Sequence, residues 1–407
     1  MLVENHYPHD IRVRKEAEAL TEAGYELTVL ALKGPNQSAF EEIRNVKVYR
    51  IPEVNIFNKT KRDNTNAIIK LYDKVRAITG YILEYAYFTV VSFLVSLYIL
   101  KKHGFDGIHT HNPPDTLSMI GIFYKFFGKK YVFDHHDLSP ELYLTRVSGK
   151  KNLIYWGLIF FERLSCRFSN IIVSTNESYR QIEISRYSVN PKKIFIVRNN
   201  PIANDCIVSG GGNGSVKPDK QKKILLFLGS INPQDGVDIL LKIVHHLVYV
   251  LERKDFICLI IGDGDYLDTA KSLSRELNVI EYVDFTGMIT DREKLKQYLA
   301  QADIGIEPAP LNEVNKYSTF IKVMEYMAAS KPVVAFDLIE TRYSVDGGAL
   351  LVPPGDYAGF ARAIEKLLDA PLLREQLGKA GWERIEKELN WEKTASNLTE
   401  AYAALFL

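Results

Sequence analysis

Residues 317–336 read YSTFIKVMEYMAASKPVVAF, and this stretch decides the fold class of the chain. It predicts a helix that runs directly into a buried strand. Ser318 or Thr319 can cap the start of the helix, and Lys331 with Pro332 ends it. A helix followed at once by a buried strand is typical of α/β domains built on parallel sheets.

The predicted helix also has a polar face. At helical pitch, Ser318, Lys322 and Glu325 lie on one side. Free N–H groups at the helix start, together with Lys322, would bind phosphate oxygens, and Glu325 would accept hydrogen bonds from sugar hydroxyls. The alternative is an amphipathic helix whose charges are merely solvated, because charged pairs three residues apart are common on exposed helix faces.

Composition narrows the class of protein. A chain of 407 residues suggests two or three domains, and 46% hydrophobic with 25% charged residues is typical of a folded globular protein. Lys plus Arg number 51 against 50 Asp plus Glu, so no overall charge would attract nucleic acid. We therefore expect the substrate to bind at a local site.

The cysteines and the first residues indicate the compartment. Cys166, Cys206 and Cys258 are far apart, odd in number and without metal-ligand spacing, which argues for a reducing compartment. We expect all three thiols to be buried. Residues 1–6 contain no apolar signal core, so a cytoplasmic protein is expected rather than a secreted one.

One uncharged segment, 85–100, is shorter than the roughly 20 residues that span a bilayer. Thr89, Ser92 and Ser96 form a weak polar stripe along it. The favoured interpretation is a buried helix packed on a sheet. The alternative is a helix that lies on a membrane surface and contacts it through 81–102, with tyrosines and flanking lysines at the headgroups.

Short apolar runs alternate with helical segments, which predicts parallel sheets. A helix over 11–23 has Asp10 as its N-cap and Gly24 just beyond its end, and the last third is helical with breaks at Pro371 and Trp391. The predicted strands are 1–4, 26–32, 46–51, 106–109, 131–134, 171–174, 194–197, 224–228, 256–261, 282–286, 303–306, 333–336 and 349–352.

A polar, glycine-rich stretch divides the chain. We expect a first domain over 1–201, a linker or surface excursion over 202–223, a second domain over 224–385 and a C-terminal helix over 386–407 that can pack back on the first domain. The predicted fold is α/β, with two doubly wound Rossmann-like domains facing across a cleft. Ligands are expected outside the carboxyl ends of their strands.

Polar clusters follow most of the predicted strands. His135 and His136, followed by Asp137, could bind a metal, but no third ligand stands at a recognisable spacing. A histidine placed for acid–base or hydrogen-bonding chemistry is the favoured interpretation. Gly262 and Gly264 lack the dinucleotide fingerprint spacing, yet glycine after a strand lets a nucleotide approach the backbone closely.

Four stretches together resemble the family-four retaining glycosyltransferases of GT-B type, also called glycosyl transferases group 1. They are 8–17 (PHDIRVRKEA), 133–141 (FDHHDLSPE), 229–238 (GSINPQDGVD) and the opening stretch 317–336. The resemblance covers nearly the whole chain. It implies transfer of a sugar from a nucleotide-diphosphate sugar, with no other cofactor and no metal, and with retention of the anomeric configuration.

The resemblance also implies roles for individual residues. The catalytic candidates are His136, Lys322 and Glu325. The donor-binding candidates, expected mainly on the second domain, are Gly229, Ser230, Arg198, Gly262, Asp263, Ser318, Thr319, Lys322 and Glu325. The acceptor-side candidates, expected on the first domain, are Asp10, Arg12, His111, Asn112 and Asp137.

The chain departs from the family pattern at three positions. Tyr317 stands where many members have the first Glu of a pair, and the usual diphosphate-binding Arg and Lys fall on Ser230 and Asp235. The resemblance then leaves neutralisation of the diphosphate to Lys322, Arg198 and helix N-termini. A lipid-linked or saccharide intermediate of surface-polysaccharide synthesis is the expected acceptor, at the inner face of the membrane.

Two other functional classes stay open from the sequence. A nucleotide-sugar epimerase or a sugar phosphorylase could share the same two-domain plan. A non-catalytic carbohydrate-binding relative is the third hypothesis, motivated by the altered positions Ser230 and Asp235.

Overall fold

The computed structural model describes residues 1–54, 67–147, 149–202, 206 and 222–406. Contacts between residues divide the chain into two units. The first contains Met1–Val197 and Ala395–Leu407, and the second contains Arg198–Thr394. Most of the predicted linker at 202–223 lies outside the described residues.

The first unit is built on an eight-stranded sheet. Its strands are β1 (Leu2–His6), β2 (Leu27–Lys33), β3 (Phe40–Ile43), β4 (Val46–Pro52), β5 (Gly107–His111), β6 (Lys130–His135), β7 (Ile171–Ser174) and β8 (Ile194–Ile196). They lie in the order β3-β4-β2-β1-β5-β6-β7-β8, and every pairing is parallel except that of β3 with β4. The helices are α1 (Ile11–Glu22), α2 (Ala67–His103), α3 (Ser118–Phe126), α4 (Ser139–Arg146), α5 (Leu153–Phe168) and α6 (Glu177–Tyr187).

The second unit is built on a six-stranded parallel sheet in the order β11-β10-β9-β12-β13-β14. Its strands are β9 (Lys223–Leu228), β10 (Phe256–Ile261), β11 (Val283–Gly287), β12 (Ile304–Glu307), β13 (Val333–Phe336) and β14 (Ala349–Val352). The helices are α7 (Val237–Tyr249), α8 (Leu267–Glu276), α9 (Arg292–Gln301), α10 (Ile321–Ala328), α11 (Ile339–Val345), α12 (Tyr357–Asp369), α13 (Pro371–Lys387) and α14 (Trp391–Phe406). From Ala395 onward, α14 belongs to the first unit.

Helices cover both faces of the second sheet. Along β9, Leu225 and Phe227 lie in one apolar cluster, while Leu226 and Leu228 lie in the other. A strand buried on both sides reads as a continuous apolar run, which is why β9 could be recognised from its sequence. The predicted class of two Rossmann-like α/β domains is confirmed.

The predicted strands are all present, within two residues at each end, and β3 is an additional strand that was not predicted. The sequence of β3, FEEI, carries two adjacent glutamates, and its residues alternate between exposed and half-buried at the edge of the sheet. An exposed edge strand needs no apolar run, so the pattern used to find the other strands was absent here.

Local signals placed α1 correctly. The Asp10 carboxylate accepts hydrogen bonds from the backbone N–H groups of Arg12 and Val13, both at 3.1 Å. Gly24 follows the helix at a φ of +93°, a conformation that glycine adopts without strain. The three cysteines are buried and free, as expected.

The favoured interpretation of 85–100 as a buried core helix is wrong for most of its surface. The segment lies within α2, where Ile78–His103 has a mean hydropathy of 1.7 and is only 28% buried. By length and composition alone, this helix could also cross a membrane.

The polar stripe of α2 is its buried side. Ser92 is fully buried, Thr89 Oγ1 lies 2.7 Å from Thr116 Oγ1, and Ser96 Oγ lies 2.8 Å from the Tyr124 hydroxyl. The opposite side leaves large apolar residues exposed, namely Val90, Leu94, Leu97 and Tyr98. The hydroxyls of Thr89 and Ser96 find partners inside the unit, so this polar stripe faces inward together with Phe88 and Ile99, while much of the apolar surface of the helix stays exposed.

Candidate functional site

Lys322 lies at the carboxyl end of β9, in the second unit. Its ammonium is 3.1 Å from Glu307 Oε2 and 4.2 Å from the centre of the Phe227 ring. The Lys322 side chain is 11% exposed. The face of the Phe227 ring and the Glu307 carboxylate together hold the Lys322 ammonium in one position. The turn at Gly229 and Ser230, which follows β9, is exposed.

Glycine is required at Gly229 and at Gly262. A Cβ on Gly229 would lie 3.1 Å from Lys322 Cε and 3.3 Å from Nζ, so the ammonium fills the space beside that turn. A Cβ on Gly262 would lie 1.8 Å from the carbonyl oxygen of Gly229, and Gly262 has a φ of +152°. Gly262 thus has a steric reason to be glycine within the protein itself, and the prediction that a nucleotide approaches its backbone stays a prediction.

Glu307 ends β12 and is buried. Its Oε1 accepts a hydrogen bond of 3.0 Å from the backbone N–H of Ala309. Burial raises the pKa of the Glu307 carboxyl, and Lys322 opposes that rise. The ion pair with Glu307 therefore fixes the position of the Lys322 ammonium at the end of β9.

The loop after β9 is held by its own side chains. Asp235 Oδ2 accepts a hydrogen bond of 2.9 Å from the backbone N–H of Asn232. Burial raises the pKa of Asp235 and Lys322 opposes that rise. Asp235 is thus a loop-capping carboxylate, and Ser230 is exposed. At neither position does this chain offer a cation to a phosphate.

The prediction that Ser318 or Thr319 caps the helix is wrong. Helix α10 begins at Ile321, its N-cap is Phe320, and no side chain caps it. Ser318 has extended backbone, with φ −82° and ψ 139°, and its hydroxyl donates to the carbonyl of Val314 at 3.0 Å. Ser318 therefore does not share a helical face with Lys322, although the first N–H groups of α10 remain without a side-chain cap.

Arg198 is paired within the second unit. Its Nη1 lies 2.9 Å from Glu340 Oε2 and 3.5 Å from the Thr319 hydroxyl. The guanidinium also stacks on the ring of Tyr343, 4.2 Å from its centre. Glu340 neutralises this charge, so Arg198 is a weaker source of attraction for a diphosphate than the sequence suggested.

Two further predicted donor residues lie near the strand ends. Asp263 follows β10, is exposed, and accepts a hydrogen bond of 2.8 Å from the N–H of Gly264. Glu325 lies on α10, three residues after Lys322, and is half-buried. Asp263 thus makes a capping contact within its own loop, and the residue is exposed.

In the first unit, Asn112 organises the loop after β6. Its Oδ1 accepts hydrogen bonds from the N–H groups of His136, at 2.7 Å, and Asp137, at 3.3 Å. Its Nδ2 donates to the Asp137 carbonyl at 2.7 Å. Asn112 is therefore buried support for this loop, whereas Asp137 is exposed.

Three of the site residues predicted in the first unit are at least partly exposed, namely His136, Asp10 and Asp137. The His136 side chain is 15% exposed, and its Nε2 lies 3.1 Å from Asp134 Oδ2 and 3.0 Å from His111 Nδ1. Asp10 is half-buried and accepts a hydrogen bond of 2.9 Å from Asn5 Nδ2. A carboxylate behind an imidazole orients it and stabilises its charged form.

Arg12 and His111 lie beneath this surface. Arg12 Nε is 3.1 Å from Glu16 Oε1, and Arg12 Nη2 is 2.5 Å from Asp134 Oδ1. Although burial opposes it, Arg12 holds the pKa of Asp134 well below its usual range. Burial raises the pKa of Glu16. Both residues are buried, and Arg12 and His111 contact neighbouring side chains of the first unit.

The histidine pair after β6 separates. His135 points away from His136, with its Nδ1 2.8 Å from Glu183 Oε1. Although burial lowers it, the hydrogen bond to Glu183 and the nearby Glu162 raise the pKa of His135 to about 9. His135 is fully buried, so it is a structural residue, and His136 alone faces the surface.

Two family models match this chain. One, described as Glycosyltransferase Family 4, matches residues 11–199. The other, described as Glycosyl transferases group 1, matches residues 222–370. The chain is a family-four glycosyltransferase.

One curated relative of this glycosyltransferase is the phosphatidyl-myo-inositol mannosyltransferase of Mycobacterium leprae, with 32% identity over 183 residues. That match covers 44% of this chain and 46% of the relative, so the similarity spans about half the length of each.

Solved structures share the fold of the glycosyltransferase. Sucrose-phosphate synthase of Thermosynechococcus elongatus has a TM-score of 0.75 at 20% identity, covering 99% of this chain and 94% of its own. Anabaena HepE in complex with UDP-glucose has a TM-score of 0.70 at 12% identity, and the match covers 99% of this chain and 98% of the HepE chain. At these identities the likeness shows the GT-B fold alone.

The glycosyltransferase contains site residues that sequence reasoning did not pair. Glu307 and Phe227 fix Lys322, and Glu340 neutralises Arg198 from 142 positions along the chain. No local pattern marks such partners. The signal in the sequence for Glu307 was its position at the end of a predicted strand, because ligands gather at the carboxyl ends of parallel strands.

Proposed function

We propose that this glycosyltransferase moves a sugar from a nucleotide-diphosphate sugar to a saccharide or lipid-linked acceptor of surface-polysaccharide synthesis, with retention of the anomeric configuration. The observation that carries the proposal is the position of Lys322, whose ammonium lies beneath the exposed Gly229 turn at the end of β9. A fixed cation at the carboxyl end of a central parallel strand suits a diphosphate.

The donor is proposed to bind the second unit. Lys322 and the uncapped N–H groups of α10 would take the phosphate oxygens, because an ammonium and a helix N-terminus both attract anions. Glu325 would accept from the ribose hydroxyls, and Asp263 is a further candidate for a hydroxyl contact. The complex of HepE with UDP-glucose supports a nucleotide sugar as the donor class.

Charge stabilisation is proposed to come from protein groups and not from a divalent ion on the diphosphate. The leaving diphosphate gains negative charge as the bond to the sugar breaks. Lys322 neutralises it, while Arg198 contributes less because Glu340 pairs with it. Each preorganised donor of this kind commonly contributes about 3 kcal/mol to lowering a barrier.

The acceptor is proposed to bind the first unit. His136 is the candidate for contact with the donor sugar, because its side chain is 15% exposed and the Asp134 carboxylate at 3.1 Å orients its ring. Asp10 and Asp137 are the partly exposed carboxylates proposed for the acceptor hydroxyls. The mannosyltransferase relative, which by its name acts on phosphatidyl-myo-inositol, supports a lipid-linked acceptor.

We also propose that α2 lies on the cytoplasmic face of a membrane. Val90 and Leu94 are each 58% exposed, and Phe93 packs edge-on against Phe123 of α3, which in turn packs against the exposed Phe127. Lysines at the end of α2 are exposed beside this apolar face. Apolar residues flanked by lysines are typical of helices at an anionic lipid surface.

The test is a mass-spectrometric screen of nucleotide sugars with the full chain, with and without saccharide and lipid-linked acceptors. The proposal expects nucleoside diphosphate to appear only when an acceptor is present, and product NMR to show a retained anomeric centre. An epimerase would change the sugar nucleotide without acceptor, and a non-catalytic relative would bind without turnover. Strict dependence on added Mg²⁺ or Mn²⁺ would contradict the charge argument.

A further inference from the structure

Four buried side chains of the first unit converge outside the donor residues. They are Glu16 from α1, His109 and His111 from β5, and Asp134 from β6. Each offers one ligand atom, and these four atoms lie within 4.8 Å of one another. All four residues are at most 3% exposed, so the cluster is closed to bulk water.

The spacing fits one small ion. Asp134 Oδ2 lies 3.5 Å from His109 Nε2 and 3.3 Å from His111 Nδ1, and Glu16 Oε2 lies 3.9 Å from His111 Nδ1. Ligand atoms about 2.0–2.1 Å from a tetrahedral Zn²⁺ are separated from one another by roughly 3.3 Å. The observed separations are therefore those of a tetrahedral site or slightly wider.

Three of these side chains have their outer atom held by a neighbour. His111 differs, because its Nδ1 lies 3.0 Å from His136 Nε2 and its buried Nε2 makes no hydrogen bond among the described residues. Arg12 takes Glu16 Oε1 and Asp134 Oδ1, and the Tyr402 hydroxyl lies 2.9 Å from His109 Nδ1. Such contacts fix the orientation of a ligand and leave its other atom free for a metal.

The atoms that face into the cluster are not used by these contacts. Glu16 Oε2, Asp134 Oδ2 and His109 Nε2 are buried and make no hydrogen bond of regular geometry among the described residues. Buried polar atoms normally have partners, because leaving one without a partner costs about 1–3 kcal/mol. Asp134 Oδ2 also lies 3.1 Å from His136 Nε2, so Glu16 Oε2 and His109 Nε2 are the two atoms of the cluster that call most for an occupant.

We propose that Glu16, His109, His111 and Asp134 bind one divalent transition-metal ion, with Zn²⁺ the best match to two imidazoles and two carboxylates. Four protein ligands in a closed pocket leave no open coordination position, so the ion is structural. It ties α1 to the ends of β5 and β6, beneath His136. This site is separate from the proposed donor chemistry and does not depend on it.

Charge balance also favours an ion. Two carboxylates face one guanidinium, that of Arg12, so the ionised cluster carries one excess negative charge. Either a bound cation or a bound proton can compensate it. The partly exposed His136 lies 3.1 Å from Asp134 Oδ2 and 3.0 Å from His111 Nδ1, so a bound ion would replace these two contacts. A proton-filled cluster is the competing state that the experiment must detect.

The first experiment measures metal in the full chain, expressed with supplemental zinc and purified without a histidine tag or chelator. Elemental analysis after dialysis should find about one Zn²⁺ per chain. Refolding is not needed for this measurement, so it does not depend on any variant. A dialysed chain with less than about a tenth of an equivalent, and no saturable uptake of added Zn²⁺ or Co²⁺, overturns the proposal and leaves the protonated cluster.

The second experiment locates the ion. His109→Gln and Asp134→Asn should lower the affinity for Co²⁺ by at least about tenfold and remove the visible absorption of tetrahedral Co²⁺. The control His246→Gln changes a histidine on α7 of the second unit and should retain both. Added Zn²⁺ should raise the melting temperature of the parent chain and of the control, but not of the two ligand variants. Equal Co²⁺ affinity in ligand and control variants overturns the assignment.

Discussion

The Lys322 ammonium lies 3.1 Å from Glu307 Oε2, and the two residues come from helix α10 and strand β12. This ion pair fixes a cation at the strand ends of the second unit. Burial raises the pKa of Glu307, and the Lys322 ammonium opposes that rise. An incoming phosphate would therefore meet a cation that is already in place and need not be ordered.

Lys322→Ala should lower turnover by at least about tenfold, since loss of one preorganised donor costs about 3 kcal/mol in the barrier. Steady-state kinetics with the donor found by the screen would measure the change, and circular dichroism would check the fold. Lys316→Ala is the matched control, because Lys316 forms an ion pair with Glu313 near the same helix. Near-parental turnover in Lys322→Ala would remove Lys322 from the mechanism.

Gly262→Ala should destabilise the chain by more than about 3 kcal/mol, which combines overpacking with an unfavourable backbone conformation. The added Cβ would lie 1.8 Å from the Gly229 carbonyl oxygen. Gly347→Ala is the control, since Gly347 has a φ of +94° and nothing within 4 Å of its Cβ position. It should lose only about 1–2 kcal/mol. Urea unfolding of both variants measures the difference, and equal losses would contradict the steric explanation.

The exposed face of α2 gives a membrane prediction. Leu94→Asp combined with Tyr98→Asp should reduce binding to anionic phosphatidylglycerol vesicles by more than about tenfold, because both apolar side chains would leave the lipid. Vesicle sedimentation measures the bound fraction. Val250→Asp is the control, as Val250 is 59% exposed and belongs to the second unit. Unchanged vesicle binding in the double variant would show that α2 does not contact lipid.

Glu4 gives a pH prediction. Burial, with help from the carboxylates of Glu84 and Glu53, raises the pKa of Glu4 from 4.5 to about 7. Between those values the unfolded chain loses this proton while the folded chain keeps it, so the contribution of Glu4 to stability falls as pH rises through this window. Glu4→Gln should therefore raise the melting temperature relative to the parent increasingly from pH 5 to about pH 7.

The control for Glu4 is Glu42→Gln, which changes an exposed carboxylate on β3. Its melting temperature should follow the parent at every pH. A constant difference between Glu4→Gln and the parent across the range would mean that Glu4 titrates alike in both states.

Elements whose cause is local were predictable. The N-cap Asp10, the break at Pro371 and the apolar run of β9 each act within a few residues, and the structure has all three where the sequence placed them. The polar strand ends were predictable as a group, since parallel strands bring their carboxyl ends to one edge. The start of α10 could not be predicted, because the Ser318 hydroxyl donates to the carbonyl of Val314 and does not cap the helix.

The orientation of α2 depends on partners that are distant in sequence. The sequence shows Thr89, Ser92 and Ser96 as a weak polar stripe, and in the structure Ser96 meets the Tyr124 hydroxyl inside the unit. Periodicity shows which residues share a helix face, but it does not show whether that face points to the core or to solvent. That choice follows from the total burial and hydrogen bonding of the packed unit.

By itself, the sequence determined the α/β class, the positions of nearly all strands and the family, because these follow from short-range spacing and motifs. Tertiary structure alone decided that Lys322 pairs with Glu307, that Arg198 is neutralised by Glu340, and that Glu16 joins Asp134 from 118 positions away. Burial and distance set the charge of these groups, and both exist only once the chain has folded.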